Sequence, residues 1–494
     1  MDLLGGTTIT LIACLTLLVA WKMAGAKKKK NLPPGPTPLP FIGNLFQAVC
    51  KDFPGRLKKL SEIYGPVFTL YFGSERVVIV HGYDLVKKVL IDNGDDFLDR
   101  GHMPSTNKLS QGHGVVMADG ERWQQIRRFS LTTMRNFGMG KKSIEERIQE
   151  EAEHLVKALR ATKGQPFNPT TLWSCATGNM ISHILFADRF DYEDKDFKRT
   201  LELLTEAFVL DNTYGGQLYY FIPKVLDIMP GPHQVLLKNM SHIETLVTRR
   251  VEEHEKTHDP TSVPRDLVDS FLLKMEQEKN NPKTEFTREN LIVTITDLFF
   301  AGTETTSTTL RYVIMVLAEF QDIQAKVHEE IDRVIGRERP PAMKDRPEMP
   351  YTEAVIHESQ RVLDLAPIGL ARRTRKEVEL EGYTIPKGTT IYSVLSSALR
   401  DPKQFKNPYK FDPGHFLDEN GSFKKNGADI PFSAGKRNCL GEGLARMELF
   451  LYTTTILQSF HIKLPPGVSK IDLGPKVSGF GKMPHEAELC FCPH

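Results

Sequence analysis

The sequence predicts a mainly α-helical fold with a minor β portion, built as one large domain behind an N-terminal anchor. Most of the chain after Gly43 carries apolar residues at helical spacing, and short β-branched runs lie mainly early and late. A length of 494 residues would by itself suggest about three domains. No linker, repeat or low-complexity stretch interrupts residues 43–494, so we expect a single large domain there.

Residues 1–22 predict one membrane-spanning anchor. The run Leu3 to Trp21 is uncharged, and its length approaches the roughly 20 residues that a spanning helix needs. Asp2 precedes the run, whereas Lys22 and the lysines at 27–30 follow it. Basic residues stay on the cytosolic side of a membrane, so we expect the rest of the chain in the cytosol. A cleaved secretory signal is the alternative, but its basic residues would precede the apolar run.

Residues 23–42 predict a basic and proline-rich hinge. Five prolines between Pro33 and Pro40 prevent helix formation, which favours a stiff spacer between the anchor and the domain.

The composition excludes two classes of protein. Sixty-four basic residues against 62 acidic ones argue against a nucleic-acid binder held by bulk charge. Six cysteines in a chain of this length exclude a disulfide scaffold, although one of them could have a chemical role.

The body is predicted to contain eight clear helices and a few strands. Periodicity indicates helices at Glu121–Phe137, Ile144–Ala161, Lys198–Phe208, His233–Glu255, Asn290–Leu317, Ile323–Ile335, Tyr351–Val362 and Gly441–Leu457. Two β-branched runs around a Gly-Ser-Glu turn predict a hairpin, and later strands are expected at two further places; the four runs are Val67–Tyr71, Val77–Val80, Val378–Ile385 and Thr389–Tyr392.

The strongest chemical signal is Cys439, which lies between a glycine-containing loop and a predicted helix. The N-terminus of a helix offers partial positive charge and unpaired N–H groups, which stabilise a thiolate. Arg437 adds a nearby cation. A thiolate in this setting is suited to be the axial ligand of a heme iron. A buried, inert thiol or a catalytic nucleophile are the alternatives.

Phe432, Gly435, Arg437, Cys439 and Gly441 match the heme-binding pattern F-x-x-G-x-R-x-C-x-G. By this pattern the chain resembles the cytochromes P450. The pattern fixes five residue types over ten positions, so a chance match is improbable.

Three further family motifs occur in the expected order. Glu358–Arg361 matches E-x-x-R, Ala301–Thr305 matches A-G-x-E-T, and Trp123 with Arg127 matches W-x-x-x-R. In detail the chain resembles the animal microsomal family 2, with subfamily 2A as the nearest resemblance. His415 stands where many P450s have arginine, as is common in family 2.

The resemblance implies a heme-thiolate monooxygenase that binds heme b. It would insert one oxygen atom from O2 into lipophilic substrates such as xenobiotics, steroids or fatty acids. NADPH–cytochrome P450 reductase would supply electrons, with cytochrome b5 as a further partner, at the endoplasmic reticulum membrane and without any nucleic acid. The alternatives are a heme-thiolate isomerase of lipid peroxides and a non-enzymatic heme sensor.

The resemblance also implies roles for the motif residues. The heme propionates are anions that need donors, which Trp123, Arg127, Arg372 and Arg437 are expected to provide. Arg373 is the alternative to Arg372, and Trp123 and Arg437 could instead be ordinary packing and surface residues. Glu358 and Arg361 are expected to join His415 in bracing the loop that carries Cys439.

The segment from Ala301 to Thr309 is unusual for a helix, because it holds a glycine and five threonines around one glutamate. We expect the helix to be locally widened, with hydroxyl groups open to water. Thr305 is expected to hydrogen-bond the activated oxygen, Glu304 to relay protons, and Gly302 to leave room for dioxygen.

A lipophilic pocket is expected next to this helix. Asp297 shares a helix face with Ala301 and Thr305, so it either contacts substrate or is a locally paired acid. The apolar candidates, each of which could instead be ordinary core, are Phe208, Phe299, Phe300, Ala301, Leu365, Ala366, Ile368 and Leu370.

Cys490 and Cys492 form a C-x-C pair with His485 and His494 nearby. A metal site is one interpretation, but we expect a frayed, reduced terminus.

Overall fold

The computed structural model describes Thr8, Ile12, Ala13, Thr16, 31–138 and 142–494. The predicted anchor and the lysines that follow it lie outside the described residues, apart from those first four positions. Among the described residues, no helix is both long enough and apolar enough to cross a membrane.

The described part of the chain is mainly helical. The helices are α1 Leu45–Ala48, α2 Phe53–Tyr64, α3 Tyr83–Lys87, α4 Pro104–Ser110, α5 Gly120–Asn136, α6 Lys142–Ala161, α7 Thr170–Phe186, α8 Lys195–Asn212, α9 Tyr214–Tyr219, α10 Pro223–Leu226, α11 Pro232–Thr257, α12 Leu267–Glu278, α13 Arg288–Glu319, α14 Gln321–Val334, α15 Pro350–Leu363, α16 Leu395–Leu399 and α17 Glu442–Ser459. A π-helical turn covers Lys88–Asp92, and 3₁₀ turns cover Met343–Glu348, Pro413–Phe416 and Gly435–Arg437.

The strands are short and form small sheets. They are β1 Val67–Phe72, β2 Glu75–Val80, β3 Asp99–Arg100, β4 Arg372–Arg373, β5 Val378–Leu380, β6 Tyr383–Ile385, β7 Thr390–Ser393, β8 Phe460–Lys463, β9 Pro475–Ser478, β10 Lys482–Pro484 and β11 Cys490–Pro493. The largest sheet among the described residues has the order β1-β2-β7-β4-β3, with β2 and β7 parallel. The pairs β5–β6, β9–β10 and β8–β11 are antiparallel.

The centre of the molecule is α13, a helix of 32 residues that spans about 48 Å at 1.5 Å per residue. Its second half is buried almost completely. It packs closely on α7, because Gly302 faces Ile181 and the Thr177 hydroxyl donates to the carbonyl of Thr303 at 3.0 Å. This arrangement sets the region of α13 around Ala301–Thr305 deep in the fold.

The proline-rich segment lies against the sheet. The amide of Thr69 donates to the Pro34 carbonyl at 2.7 Å, and the Thr69 hydroxyl donates to the Pro33 carbonyl at 2.9 Å. A Cβ on Gly35 would lie 2.0 Å from the Thr69 carbonyl oxygen, so only glycine permits this approach. Residues 33–36 are therefore bound to the domain.

The eight predicted helices and the early hairpin are present, with ends that differ by a few residues. The predicted run at Val378–Ile385 is two strands, because Glu381 and Gly382 adopt positive φ and turn the chain back. The helix α7 gave no amphipathic signal, since most of its residues are buried on every side. The expected fraying of the last residues is wrong, because Cys490–Pro493 pairs with Phe460–Lys463.

Candidate active site

Cys439 lies between the 3₁₀ turn Gly435–Arg437 and the start of α17. Its amide donates to the Phe432 carbonyl at 2.9 Å, which closes the loop, and backbone N–H groups of Gly441 and Glu442 donate to its sulfur. The side chain is surrounded by protein but keeps accessible surface, as expected for a thiol that faces an internal space. Burial raises the pKa of the thiol, and the two N–H groups oppose that rise.

The cation beside the sulfur is Arg127 rather than the expected Arg437. Arg127 opposes the rise in the Cys439 pKa, and its guanidinium donates to Asn438 O and to Asn438 Oδ1, both at 2.8 Å. Arg437 instead points the other way. It donates to the Ala118 carbonyl at 2.8 Å and pairs with Asp119 at 2.9 Å.

The four residues expected to hold propionates lie close together. The Arg437 guanidinium stacks 4.1 Å above the Trp123 ring, and that of Arg127 lies 6.0 Å from the same ring. Arg372 is buried in β4, next to Arg100 across the sheet register. Burial, and then the neighbouring arginines, lower the pKa of Arg372 to about 8 and that of Arg437 to about 9.

This cluster fits a bound dianion such as the two heme propionates. The described residues around Arg437 Nη1 and the indole Nε1 of Trp123 provide no hydrogen-bond partner, although both atoms are buried. Buried polar groups are normally satisfied, and buried like charges raise the free energy of the folded state. Asp119 is a nearby counter-charge for Arg100 and Arg437, and it also pairs with Arg373 at 2.9 Å. An added anion would therefore satisfy both the free donors and the excess positive charge.

Arg100 is a site residue that the sequence did not reveal. It is buried, its Nε donates to the Val116 carbonyl at 2.7 Å, and burial lowers its pKa to about 10. No motif marks it, because its position depends on the pairing of β3 with β4, which places it opposite Arg372.

Glu358, Arg361 and His415 form one network. Both side chains of the Glu358–Arg361 pair are inaccessible to solvent, and Nε and Nη2 of Arg361 each donate to a Glu358 oxygen at 2.7 Å. His415 Nδ1 lies 3.2 Å from Glu358 Oε1. Burial opposes protonation of His415, but the Glu358 carboxylate outweighs it and raises the His415 pKa.

The network ties distant loops to α15. Arg361 donates to the carbonyls of Leu399, Pro408 and Lys410 at 2.9, 2.7 and 3.3 Å. The amide of Asp412 donates to Glu358 at 2.8 Å. The segment after β7 is thereby fixed to α15, ahead of the loop that carries Cys439.

Thr305 and Glu304 do not hydrogen-bond to each other. The Thr305 hydroxyl donates to the Ala301 carbonyl at 2.6 Å. The Glu304 carboxylate is buried on another side of α13, where it accepts from Thr205 at 2.7 Å and from Thr308 at 3.1 Å. Burial raises the pKa of Glu304, and these hydroxyls together with Arg311 oppose the rise.

Two expectations for this helix are wrong. The helix α13 is a regular α-helix throughout, and its threonine hydroxyls at 305 and 309 bond to carbonyls one turn back instead of standing open to water. Gly302 was expected to leave room for dioxygen, but a Cβ there would meet Ile181 at 2.8 Å, so this glycine permits contact with α7.

Gly435, in the turn before Cys439, also permits a close contact. It has φ of +74° and approaches the Leu90 carbonyl, which a Cβ would meet at 1.9 Å.

Asp297 is a locally bound acid. Its Oδ2 accepts from the amides of Val115 and Val116 at 3.0 and 2.9 Å. A Cβ on Gly114 would lie 2.4 Å from the same oxygen. Burial raises the pKa of Asp297 to about 7. The two amide hydrogen bonds and the positive charge of Arg100 lower this pKa, but burial outweighs them. The carboxylate therefore holds the 112–117 loop against α13.

The expected pocket residues differ in exposure. Ala301 and Leu370 are exposed, whereas Phe208 and Phe300 are half-buried. Phe208 lies against the β9–β10 turn, where a Cβ on Gly481 would meet its ring at 2.6 Å. Exposure of Ala301, one turn before Thr305 on an otherwise buried helix, is typical of a helix that borders an internal space.

A separate cavity of about 1180 Å³ lies elsewhere in the fold. It is lined by residues such as Lys58, His81, Arg400 and Tyr409 and by none of the expected site residues. It therefore has no part in the site around Cys439.

Comparison with known proteins agrees with the motifs. The Cytochrome P450 family model matches residues 33–491. Cytochrome P450 2C23 of Rattus norvegicus is 49% identical over 100% of both chains, and cytochrome P450 2H2 of Gallus gallus is 50% identical over 100% of both. Cytochrome P450 2A13 of Homo sapiens is 49% identical over 98% of both. Family 2 is confirmed, whereas identity does not separate 2A from the other subfamilies. The chain therefore belongs to the cytochrome P450 family, as a heme b-binding P450 monooxygenase of the family 2 type.

Proposed function

We propose that the enzyme inserts one oxygen atom from O2 into lipophilic small molecules and reduces the other atom to water. Electrons come from NADPH through NADPH–cytochrome P450 reductase, with cytochrome b5 as a second donor. The expected substrates are xenobiotics, steroids and fatty acids. The observation that carries the proposal is the accessible Cys439 thiol at the start of α17, beside buried donors of Arg437 and Trp123 that have no partner among the described residues.

When bound, heme would supply the iron that activates dioxygen, and the Cys439 thiolate would be the residue that holds this iron. The N–H groups of Gly441 and Glu442 hold the sulfur and stabilise its negative charge. Trp123 and Arg437 would each offer the propionates one buried donor that the described part of the chain leaves without a partner. These contacts would orient the cofactor in the fold.

Proton supply falls to Glu304 and Thr305. The raised pKa of Glu304 lets its carboxyl group hold a proton at a higher pH than an ordinary glutamate does. A polar cavity of about 10 Å³ beside Glu304, Thr205 and Arg311 has room for about one water molecule. Rotation of the Thr305 hydroxyl away from the Ala301 carbonyl would let it donate toward the accessible side of α13.

The proposed location is the cytosolic face of the endoplasmic reticulum membrane, with residues 1–22 as the anchor and 23–42 as the hinge. Basic residues near the Cys439 loop would meet an acidic reductase surface. Arg135 is exposed, whereas Arg122 pairs with Glu285 at 2.7 Å. Lys436 is exposed as well, but it pairs with Asp95 at 2.5 Å. We therefore expect Arg135 to contribute more to reductase docking than Arg122 or Lys436.

The test is turnover of the full chain in lipid vesicles with reductase, NADPH and ¹⁸O₂. Steroid, fatty-acid and small aromatic probes are supplied in turn. Incorporation of one ¹⁸O atom into product supports the proposal. Absence of product from every probe, despite a normal reduced carbon monoxide spectrum, contradicts it. Turnover of a lipid hydroperoxide without reductase would instead favour the isomerase.

A matched pair of variants tests the proton step. T305A should consume NADPH with little organic product, because it removes the hydroxyl that borders the accessible side of α13. T309A removes an equivalent hydroxyl-to-carbonyl bond of 2.8 Å one turn later and should retain coupling. Equal coupling in the two variants would contradict the role of Thr305.

A further inference from the structure

Three histidines from separate elements meet beside the β8–β11 sheet. His328 lies in α14, His461 in β8, and His494 directly after β11. The ring centroids are 4.5 Å apart for His328 and His461, 4.9 Å for His328 and His494, and 4.7 Å for His461 and His494. One ligand nitrogen from each ring lies within 4.8 Å of those of the other two. The three rings therefore converge on one point.

Hydrogen bonds orient two of the three rings. His328 Nε2 lies 3.3 Å from the Phe460 carbonyl, and His494 Nε2 lies 3.0 Å from the Leu457 carbonyl. A carbonyl only accepts, so each Nε2 carries the proton and each Nδ1 keeps its lone pair. Histidine ligands of metals commonly donate their other N–H to a carbonyl in this way.

His328 is the clearest sign that the cluster is built for a ligand. Its side chain is 6% exposed, and the described residues offer its Nδ1 no hydrogen-bond partner. An unpartnered buried acceptor raises the free energy of the folded state. A cation at the centre of the three rings would satisfy it.

A second triad within the described residues differs in this respect. His254, Asp266 and Asp269 also lie within reach of one ion. There, however, His254 is bonded to Asp266 at 2.8 Å, and Arg265 binds Asp269 through two nitrogens. Its ligand atoms are already satisfied, so we assign it no metal.

We propose that His328, His461 and His494 bind one divalent transition-metal ion, with Zn²⁺ as the expected occupant. Three imidazoles and a water molecule complete a four-coordinate zinc site. Mg²⁺ and Ca²⁺ prefer oxygen ligands, so three imidazole nitrogens would bind them weakly. At Zn–N distances of about 2.0–2.1 Å the nitrogens must approach to about 3.3 Å. His461 is exposed and can rotate toward the other two rings to close that gap. The ion would fasten α14 to the β8–β11 sheet.

The test is Zn²⁺ binding to the full-length holoenzyme after treatment with a chelator and dialysis. We expect saturable binding of one Zn²⁺ at this site and a rise in melting temperature that millimolar Mg²⁺ does not produce. H461A and H494A should each weaken binding at least about 10-fold with an unchanged reduced carbon monoxide spectrum. H242A removes an exposed histidine outside the cluster and should bind as the unaltered enzyme does.

Absence of saturable binding in the unaltered enzyme would overturn the proposal. So would H461A and H494A variants that bind Zn²⁺ as tightly as H242A does. Because both histidines are exposed, the variants should fold, and the unchanged spectrum verifies that they do.

Discussion

Replacement of Arg361 by alanine should destabilise the protein more than any exposed ion-pair substitution. The guanidinium makes two hydrogen bonds to Glu358 and three to carbonyls, and neither side chain of the Glu358–Arg361 pair is accessible to solvent. Removing one partner of a buried ion pair costs about 3–5 kcal/mol, because the other charge stays buried and unpaired.

The expected size of the effect follows from the chain length. An unfolding entropy of about 2.1 cal/mol/K per residue gives about 1 kcal/mol/K for 494 residues. A loss of 3–5 kcal/mol therefore lowers the melting temperature by about 3–5 °C. The measurement is thermal unfolding of the holoenzyme, followed by far-ultraviolet circular dichroism and by loss of the heme-thiolate absorbance.

The matched control is R199A. Arg199 and Glu202 also form a pair three residues apart on a helix, at 3.0 Å, but both side chains are 60% exposed. Exposed pairs contribute little, so R199A should shift the melting temperature by less than about 1 °C. The double variant E358A/R361A should be less destabilised than the sum of its single variants. Equal melting temperatures for R361A and R199A would refute the assignment of Arg361 as a brace.

Four further outcomes are expected. D297N should flatten the pH dependence of the melting temperature. The pKa of Asp297 is raised from 3.8 to about 7, so the contribution of this group to stability is largest below about pH 4 and is lost as pH rises through 7, and equal slopes in both proteins would contradict this. C439A should abolish the reduced carbon monoxide band of a heme-thiolate, and a retained band would exclude Cys439 as the ligand. R372Q should lose heme at least several-fold faster in a transfer assay to apomyoglobin, whereas R373Q, at the exposed neighbour, should not. G435A should lower holoenzyme yield on expression, because its Cβ would overlap the Leu90 carbonyl, and an unchanged yield would contradict that contact.

Long amphipathic segments were predictable because their burial is one-sided. The helix α6, for example, buries one apolar face over its whole length, so the helical spacing of its apolar residues is clear. The early hairpin was predictable because two β-branched runs flank a turn. The helix α7 was missed for the opposite reason, since it is buried all round and shows no face. The β8–β11 pairing was missed because only tertiary contact distinguishes Cys490–Pro493 from an unstructured end.

The site was predictable where its residues sit in short motifs. Trp123, Arg127 and Arg437 lie together, as their motifs imply. Arg100 lies outside any motif. It can be assigned to the site only from the structure, where the pairing of β3 with β4 places it opposite Arg372. The prediction that Gly302 leaves room for dioxygen was wrong. A sequence does not show whether the missing Cβ makes room for a ligand or, as here, for a neighbouring helix.

The parallel pairing of β2 with β7 has a consequence for synthesis on the ribosome. Val77 pairs with Thr390, a partner about 300 residues later in the chain. At about 5–20 residues per second, the edge of β2 waits about 15–60 s for its partner to be made. Arg100 and Arg372 likewise meet only after that interval. Cofactor capture by the complete arginine cluster must therefore follow the emergence of the late strands, and chaperones have that interval in which to shield the unpaired edge of β2.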